Sequence, residues 1–142
     1  MASLNPYLHF NGNAEEAFEF YKSVFGTEYK RPLVRYKDAP SEFPWDESEK
    51  EKLMNVSLNI GSGTILLGSD VPASMGKVAG NNFFIYTNAG SREEADKLFS
   101  GLSAGGQVLL PIADTFWGSY FGMLRDKFDI GWMISFEHSL QQ

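Results

Sequence analysis

Glu15-Glu16-Ala17-Phe18-Glu19-Phe20-Tyr21 returns as Glu93-Glu94-Ala95-Asp96-Lys97-Leu98-Phe99, 78 positions later. Each copy follows a short apolar run and precedes glycine, Gly26 in the first case and Gly105-Gly106 in the second. A further strand pattern bounded by glycine follows each copy. One helix written twice between similar flanks reads as a module duplicated within the chain. A duplication of this kind is expected to place a ligand site or groove between its halves.

Working outward from the repeat, the spacing predicts a first helix over 14–25. Ala14, Ala17, Phe18, Tyr21, Val24 and Phe25 recur at i, i+3, i+4, i+7 and mark a buried stripe. Glu15 and Glu16 suit the helix start, Asn13 reads as its N-cap, and Gly26 reads as the residue that ends it. The second helix is predicted over 92–103, with Ser91 as N-cap and Glu94 completing a capping box. Strands are expected at 5–10, 28–36, 53–60, 64–69, 82–87, 107–112, 119–125 and 130–136. Gly61-Ser62-Gly63 reads as a hairpin loop. Module one is then 1–70, a linker fills 71–80, and module two is 81–138, each with the order βαβββ. Between Lys37 and Lys52 the chain is polar, broken by Pro40 and Pro44, and reads as an exposed loop with a short helical turn at 46–52. Phe43 and Trp45 stand out there; a lid over a cavity, a subunit contact and a simple anchor for the loop are all open readings.

Composition narrows the function. At 142 residues, with 43% apolar residues including 12 Phe, 6 Tyr and 3 Trp, the chain can bury a core unaided. It has no cysteine, which excludes thiol chemistry and cysteine metal sites and fits a cytoplasmic location. The opening Met1-Ala2-Ser3-Leu4-Asn5-Pro6 has neither the charge nor the apolar length of a signal peptide, and no membrane span is expected. A net charge of −6 argues against a nucleic-acid partner. His9 and His138 are the only histidines, too few for a histidine-rich metal centre.

Thr115-Phe116-Trp117-Gly118-Ser119-Tyr120-Phe121 is the most aromatic turn of the chain. Trp and Tyr join a large apolar face to a hydrogen-bond donor, which suits a small aromatic or amphipathic ligand. Phe116, Trp117 and Tyr120 are therefore candidate ligand contacts, with Trp132 and His9 beside them. A role in closing the module or lining a subunit contact is the competing reading. Asp114 and Asp126 are candidates for a cationic ligand or, more simply, for capping turns.

Longer stretches carry a resemblance. Pro6-Tyr7-Leu8-His9-Phe10-Asn11-Gly12-Asn13-Ala14-Glu15-Glu16-Ala17, Phe20-Tyr21-Lys22-Ser23-Val24-Phe25-Gly26 and Ile65-Leu66-Leu67-Gly68-Ser69-Asp70 resemble the PhnB-like branch of the vicinal-oxygen-chelate superfamily. So do Thr115-Phe116-Trp117-Gly118, Phe121-Gly122, Asp126-Lys127-Phe128 and Trp132-Met133-Ile134. This superfamily holds glyoxalase I, extradiol dioxygenases and bleomycin-resistance proteins. The resemblance implies an α+β fold in which two βαβββ modules form a curved mixed sheet, a cup with the helices outside. Where the branch has a glycine after Asp-x-Phe, this chain has Asp129, which tolerates the left-handed conformation. The superfamily's enzymes hold a divalent metal with one pair of side chains from each half. Those positions fall here at Pro6, within Leu66–Gly68, at Asn82 and at Met133, where a donor set is lacking. The resemblance thus implies a metal-free, cofactor-free binder of a small molecule. A lyase or dioxygenase-like enzyme with nonstandard ligands, and a dimeric interaction module with a vestigial cup, are the alternatives. The branch has also been labelled a demethylubiquinone methyltransferase; no strand, glycine-rich loop and helix unit for a nucleotide cofactor is visible. A homodimer is expected, because a lone module leaves a sheet edge and an apolar face open.

Overall fold

Both helices form where the apolar spacing places them. The structure, a computed structural model, describes residues 2–39, 46–61 and 63–137. In its first part come β1 (Tyr7–Phe10), α1 (Ala14–Phe25), β2 (Val34–Arg35), β3 (Leu53–Gly61) and β4 (Thr64–Asp70). In its second come β5 (Ile85–Asn88), α2 (Arg92–Ser103), β6 (Gln107–Asp114), β7 (Tyr120–Arg125) and β8 (Gly131–Phe136). The chain divides into two units, Met1–Ala79 and Gly80–Gln142. Each holds a four-stranded mixed sheet, in the orders β1-β4-β3-β2 and β5-β8-β7-β6. β1 runs parallel to β4, and β5 parallel to β8; the other pairs are antiparallel. The repeat in sequence is therefore a repeat of topology. Phe43, Trp45 and His138 lie outside the described residues.

α1 buries Ala14, Ala17, Phe18 and Tyr21 against its sheet, and Phe10 meets Phe18 edge-on at 6.0 Å. The approach is close enough to require a glycine. A Cβ at Gly68 would come within 2.6 Å of the Phe18 ring. The second unit solves the same problem on the neighbouring strand, where a Cβ at Gly122 would sit 2.6 Å from Phe99. Gly68 pairs with Val56, and Gly122 pairs with Ile134. The small and the branched residue have changed strands between the two copies, which conserves volume under each helix.

The caps differ from the sequence reading in an instructive way. Asn13 makes no side-chain cap bond. Asp70, delivered opposite Phe10 by the β1–β4 register, accepts instead from the N–H groups of Gly12 at 3.0 Å and Ala14 at 2.9 Å. Its other oxygen accepts from Leu53 N–H at 2.9 Å, and its carbonyl accepts from the Tyr36 hydroxyl at 2.6 Å. In α2 the Ser91 hydroxyl accepts from Glu94 N–H as expected, but the Glu94 carboxylate reaches back to Gly90 N–H rather than to Ser91. Asp129 does adopt the left-handed conformation, at φ 68°.

β2 is far shorter than the expected 28–36. Lys30 N–H bonds to Ser57 and a lone bridge joins Tyr29 to Leu58, but Pro32 has no N–H to continue the ladder. β5 starts three residues later than expected, level with the start of its parallel partner β8, where Ile85 pairs with Trp132.

The segment after β4 is fastened to the first unit. Val71 N–H bonds to Phe10, and Ala73 N–H to the buried Glu49 carboxylate at 2.7 Å. Asn11 holds both polar groups of Val78: its amide donates to the carbonyl at 3.0 Å and its oxygen accepts the N–H at 2.8 Å. Trypsin needs the Lys77–Val78 bond in extended, unpaired form. Asn11→Ala is therefore expected to speed tryptic cleavage after Lys77 by about tenfold, the scale of one to two lost hydrogen bonds. Peptide mapping over time checks this, and equal rates in both proteins would contradict it.

Candidate functional site

The glycine contacts decide which side of each sheet faces its helix. With Gly68 under Phe18, Leu8, Phe10, Val56, Leu58, Leu66 and Asp70 share the helix side, and all are buried. Strand alternation then puts Tyr7, His9, Asn55, Ser57, Leu67 and Ser69 on the opposite, open side. With Gly122 under Phe99, Leu124, Trp132 and Ile134 face α2. Tyr86, Leu110, Ala113, Phe121, Met123, Met133 and Ser135 share the open side of the second sheet, joined pairwise by the ladder. The first open face is largely polar and the second is aromatic and methionine-rich.

The five expected contacts separate on this frame. Phe116 and Trp117 form the tip of the β6–β7 hairpin, where Thr115 N–H and hydroxyl both donate to Ser119 O. Gly118, at φ 88°, permits the turn. Phe116 is 97% exposed and Trp117 53%. Their rings meet edge-on at 4.9 Å, and Trp117 lies 6.1 Å from Phe121, which ties the tip to the open face.

Tyr120 and Trp132 lie apart from the tip. Both lie on the helix side. The Tyr120 hydroxyl donates to Asp96 on α2 at 2.5 Å, its ring lies under Arg92, and the bond to Asp96 pushes its pKa above the ordinary tyrosine value. Trp132 is 1% exposed, and its indole N–H is bonded to Asp126 at 2.9 Å. Alternation along β7 and β8 separates Tyr120 from Phe121 and Trp132 from Met133, which clustering in sequence does not reveal. His9 is on the first unit's open face, exposed, with its ring edge-on to Tyr7 at 5.4 Å.

Asp126 is a turn cap. Besides Trp132 it accepts from the N–H groups of Phe128 at 2.8 Å and Ile130 at 3.1 Å. Asp114 is paired with Arg92 at 2.8 Å.

The positions implied for a metal do not assemble a donor set. Pro6 precedes β1, Leu66 and Gly68 face the helix, Asn82 precedes β5, and Leu67 and Met133 face the open sides as apolar groups. Among the described residues no three His, Asp or Glu side chains come together to hold a metal. These residues do not fit the family's metal.

Met123 and Tyr86 are not legible as site residues in the sequence; Phe121 stands there within the aromatic segment 115–121, and Met133 at an implied metal position. The signal that could have found them was present: period-two alternation in 119–125 and 130–136, once one residue was known to face the helix.

Comparison with known proteins gives a consistent family. A family model described as 3-demethylubiquinone-9 3-methyltransferase matches residues 2–135. Protein PA1353 of Pseudomonas aeruginosa is 35% identical, with a TM-score of 0.85 over 96% of this chain and 98% of that one. The PhnB protein of Bacillus cereus is 24% identical, with a TM-score of 0.75 over 95% of this chain and 99% of its own. Protein YjdN of Escherichia coli strain K12 is 26% identical over 93% of each chain.

Proposed function

The chain belongs to the PhnB-like branch of the vicinal-oxygen-chelate superfamily, the family described as 3-demethylubiquinone-9 3-methyltransferase, and from that footing we propose that it is a metal-free protein that binds a small aromatic or amphipathic molecule. The observation that carries this reading is the exposed Phe116–Trp117 tip, continuous through Phe121 with Met123 and Met133 on the open face of the second sheet. Exposed apolar surface of this kind costs solubility unless it is used. Aromatic rings give it shape, and methionines give it tolerance.

A metal-dependent reaction lacks its donors here, as the positions above make plain. Methyl transfer by a nucleotide-bound donor on a doubly wound frame needs a free helix N-terminus after a strand. Both such termini are filled by the chain's own side chains, Asp70 at α1 and Ser91 with Glu94 at α2. Elemental analysis of protein purified without chelator is the test. Zinc, nickel, manganese and iron are each expected far below one equivalent per chain; a stoichiometric metal would overturn the proposal.

The protein is read as cytoplasmic from its lack of cysteine, and no described helix is long and apolar enough to cross a membrane. It is also read as a homodimer. Edge strand β6 keeps Val108, Leu109 and Leu110 exposed, more apolar edge than a monomer ordinarily leaves open. A symmetric interface of more than about 1,200 Å² would cover such surface. Sedimentation at tens of micromolar is expected to give twice the 15.9 kDa chain mass; a species of single chain mass would contradict the dimer.

A further inference from the structure

We propose that the ligand of the second unit's open face is cationic, an aromatic amine, and that Glu137 holds its charge. This rests on the reading of that face as a binding surface and specifies what it selects. Glu137 follows β8 directly and continues the alternation of Met133 and Ser135, so its side chain stands on the open side. Its Oε1 accepts from the Tyr86 hydroxyl at 2.7 Å and from the Ser135 hydroxyl at 3.0 Å. Ser135 is itself bridged at 2.8 Å to Ser119, and both serines are fully buried. The carboxylate is thus fixed by two hydroxyl donors and backed by a buried pair.

A fixed carboxylate at the rim of an aromatic surface has one evident complement. Phe121 is the ladder partner of Ser135, and Trp117 lies against Phe121. A ligand whose ring lies on Trp117 and Phe121 would bring a protonated amine on a short arm towards Glu137. The faces of Tyr86, Phe121 and Trp117 add attraction for the same charge. Both present contacts fall on Oε1, and a carboxylate offers about four acceptor positions over its two oxygens. Among the described residues the other charged side chain on this face is Arg125. Its guanidinium is turned to the carbonyls of Asn81 at 3.1 Å and Asp129 at 3.3 Å, and lies over Phe84. It sits at the far end of β7, opposite Gly131, where β8 begins, whereas Glu137 follows the end of β8. The two charges therefore do not neutralise each other, and Arg125 stands away from the end of the sheet that carries the aromatic tip. Asp114 and Arg92 are paired on the helix side.

Three indoles of matched shape test this: tryptamine, 3-ethylindole and indole-3-propionate, titrated by calorimetry into the full chain. Tryptamine is expected to bind about tenfold tighter than 3-ethylindole, the scale of one charge-assisted hydrogen bond, with the propionate weakest. In Glu137→Gln the preference is expected to vanish, with an unchanged far-ultraviolet circular dichroism spectrum and melting temperature to show that the fold is intact. Tyr86→Phe keeps the ring and frees the carboxylate from one donor; it is expected to retain the preference for tryptamine. Equal affinity for all three indoles in the wild type, or a preference that survives in Glu137→Gln, overturns the cationic inference and leaves the aromatic surface standing. Failure of all three to bind overturns both.

Discussion

Asp70→Ala is expected to cost about 3–5 kcal/mol, the scale of leaving several buried N–H donors without their acceptor. The carboxylate is 1% exposed and collects N–H groups from two elements, Gly12 and Ala14 at the start of α1 and Leu53 at the start of β3. Alanine would leave three donors without an acceptor in a place where water enters poorly. Each orphaned donor costs about 1–3 kcal/mol, less what local relaxation recovers. Against a total stability of about 5–15 kcal/mol, that is a large share. Asp70→Asn should be nearly as damaging, because one amide end offers donors to donors. Urea unfolding followed by far-ultraviolet circular dichroism measures both. A loss below about 1 kcal/mol for the alanine variant, within the ordinary range of surface substitutions, would show that α1 is held by packing alone.

The second large effect separates two tryptophans. Trp132→Ala removes a buried ring under α2 and strips Asp126 of one of its donors, with an expected loss of about 3–5 kcal/mol. Trp117→Ala acts at an exposed hairpin tip, touching Phe116 and Phe121, and is expected to cost less than about 1 kcal/mol while weakening aromatic ligands. The same unfolding experiment reads both. Comparable losses for the two variants would return Trp117 to the core and remove the hairpin tip from the binding surface.

Much of the fold was written in local signals. Both helices appear over the expected residues because their stripes, flanking glycines and first-turn acids agree with one another. Strands fell short for two different reasons: Pro32, present in the sequence, interrupts β2, and β5 begins only where its distant partner β8 begins, with Ile85 against Trp132. The α1 cap was illegible for a related reason. Asn13 has the right chemistry in the right place, yet Asp70, more than fifty residues away, displaces it through the β1–β4 register. The aromatic hairpin tip was legible as composition. Its continuation was not, because alternation tells which residues share a face and not which face meets the helix. Closeness in sequence sets Tyr120 beside the tip, while alternation turns it, like Trp132, towards α2. Gly68 under Phe18 and Gly122 under Phe99 supply the missing orientation.

On the proposed function, the open face of the second unit receives small aromatic molecules. Two-dimensional NMR of the full chain, with the methionine methyls and tryptophan indoles as reporters, tests it most directly when neutral indole is added. Saturable shifts are expected at Trp117, Met123 and Met133, with Trp132 and the helix-facing residues unmoved. No shift at millimolar indole, or shifts led by Trp132, would contradict the account.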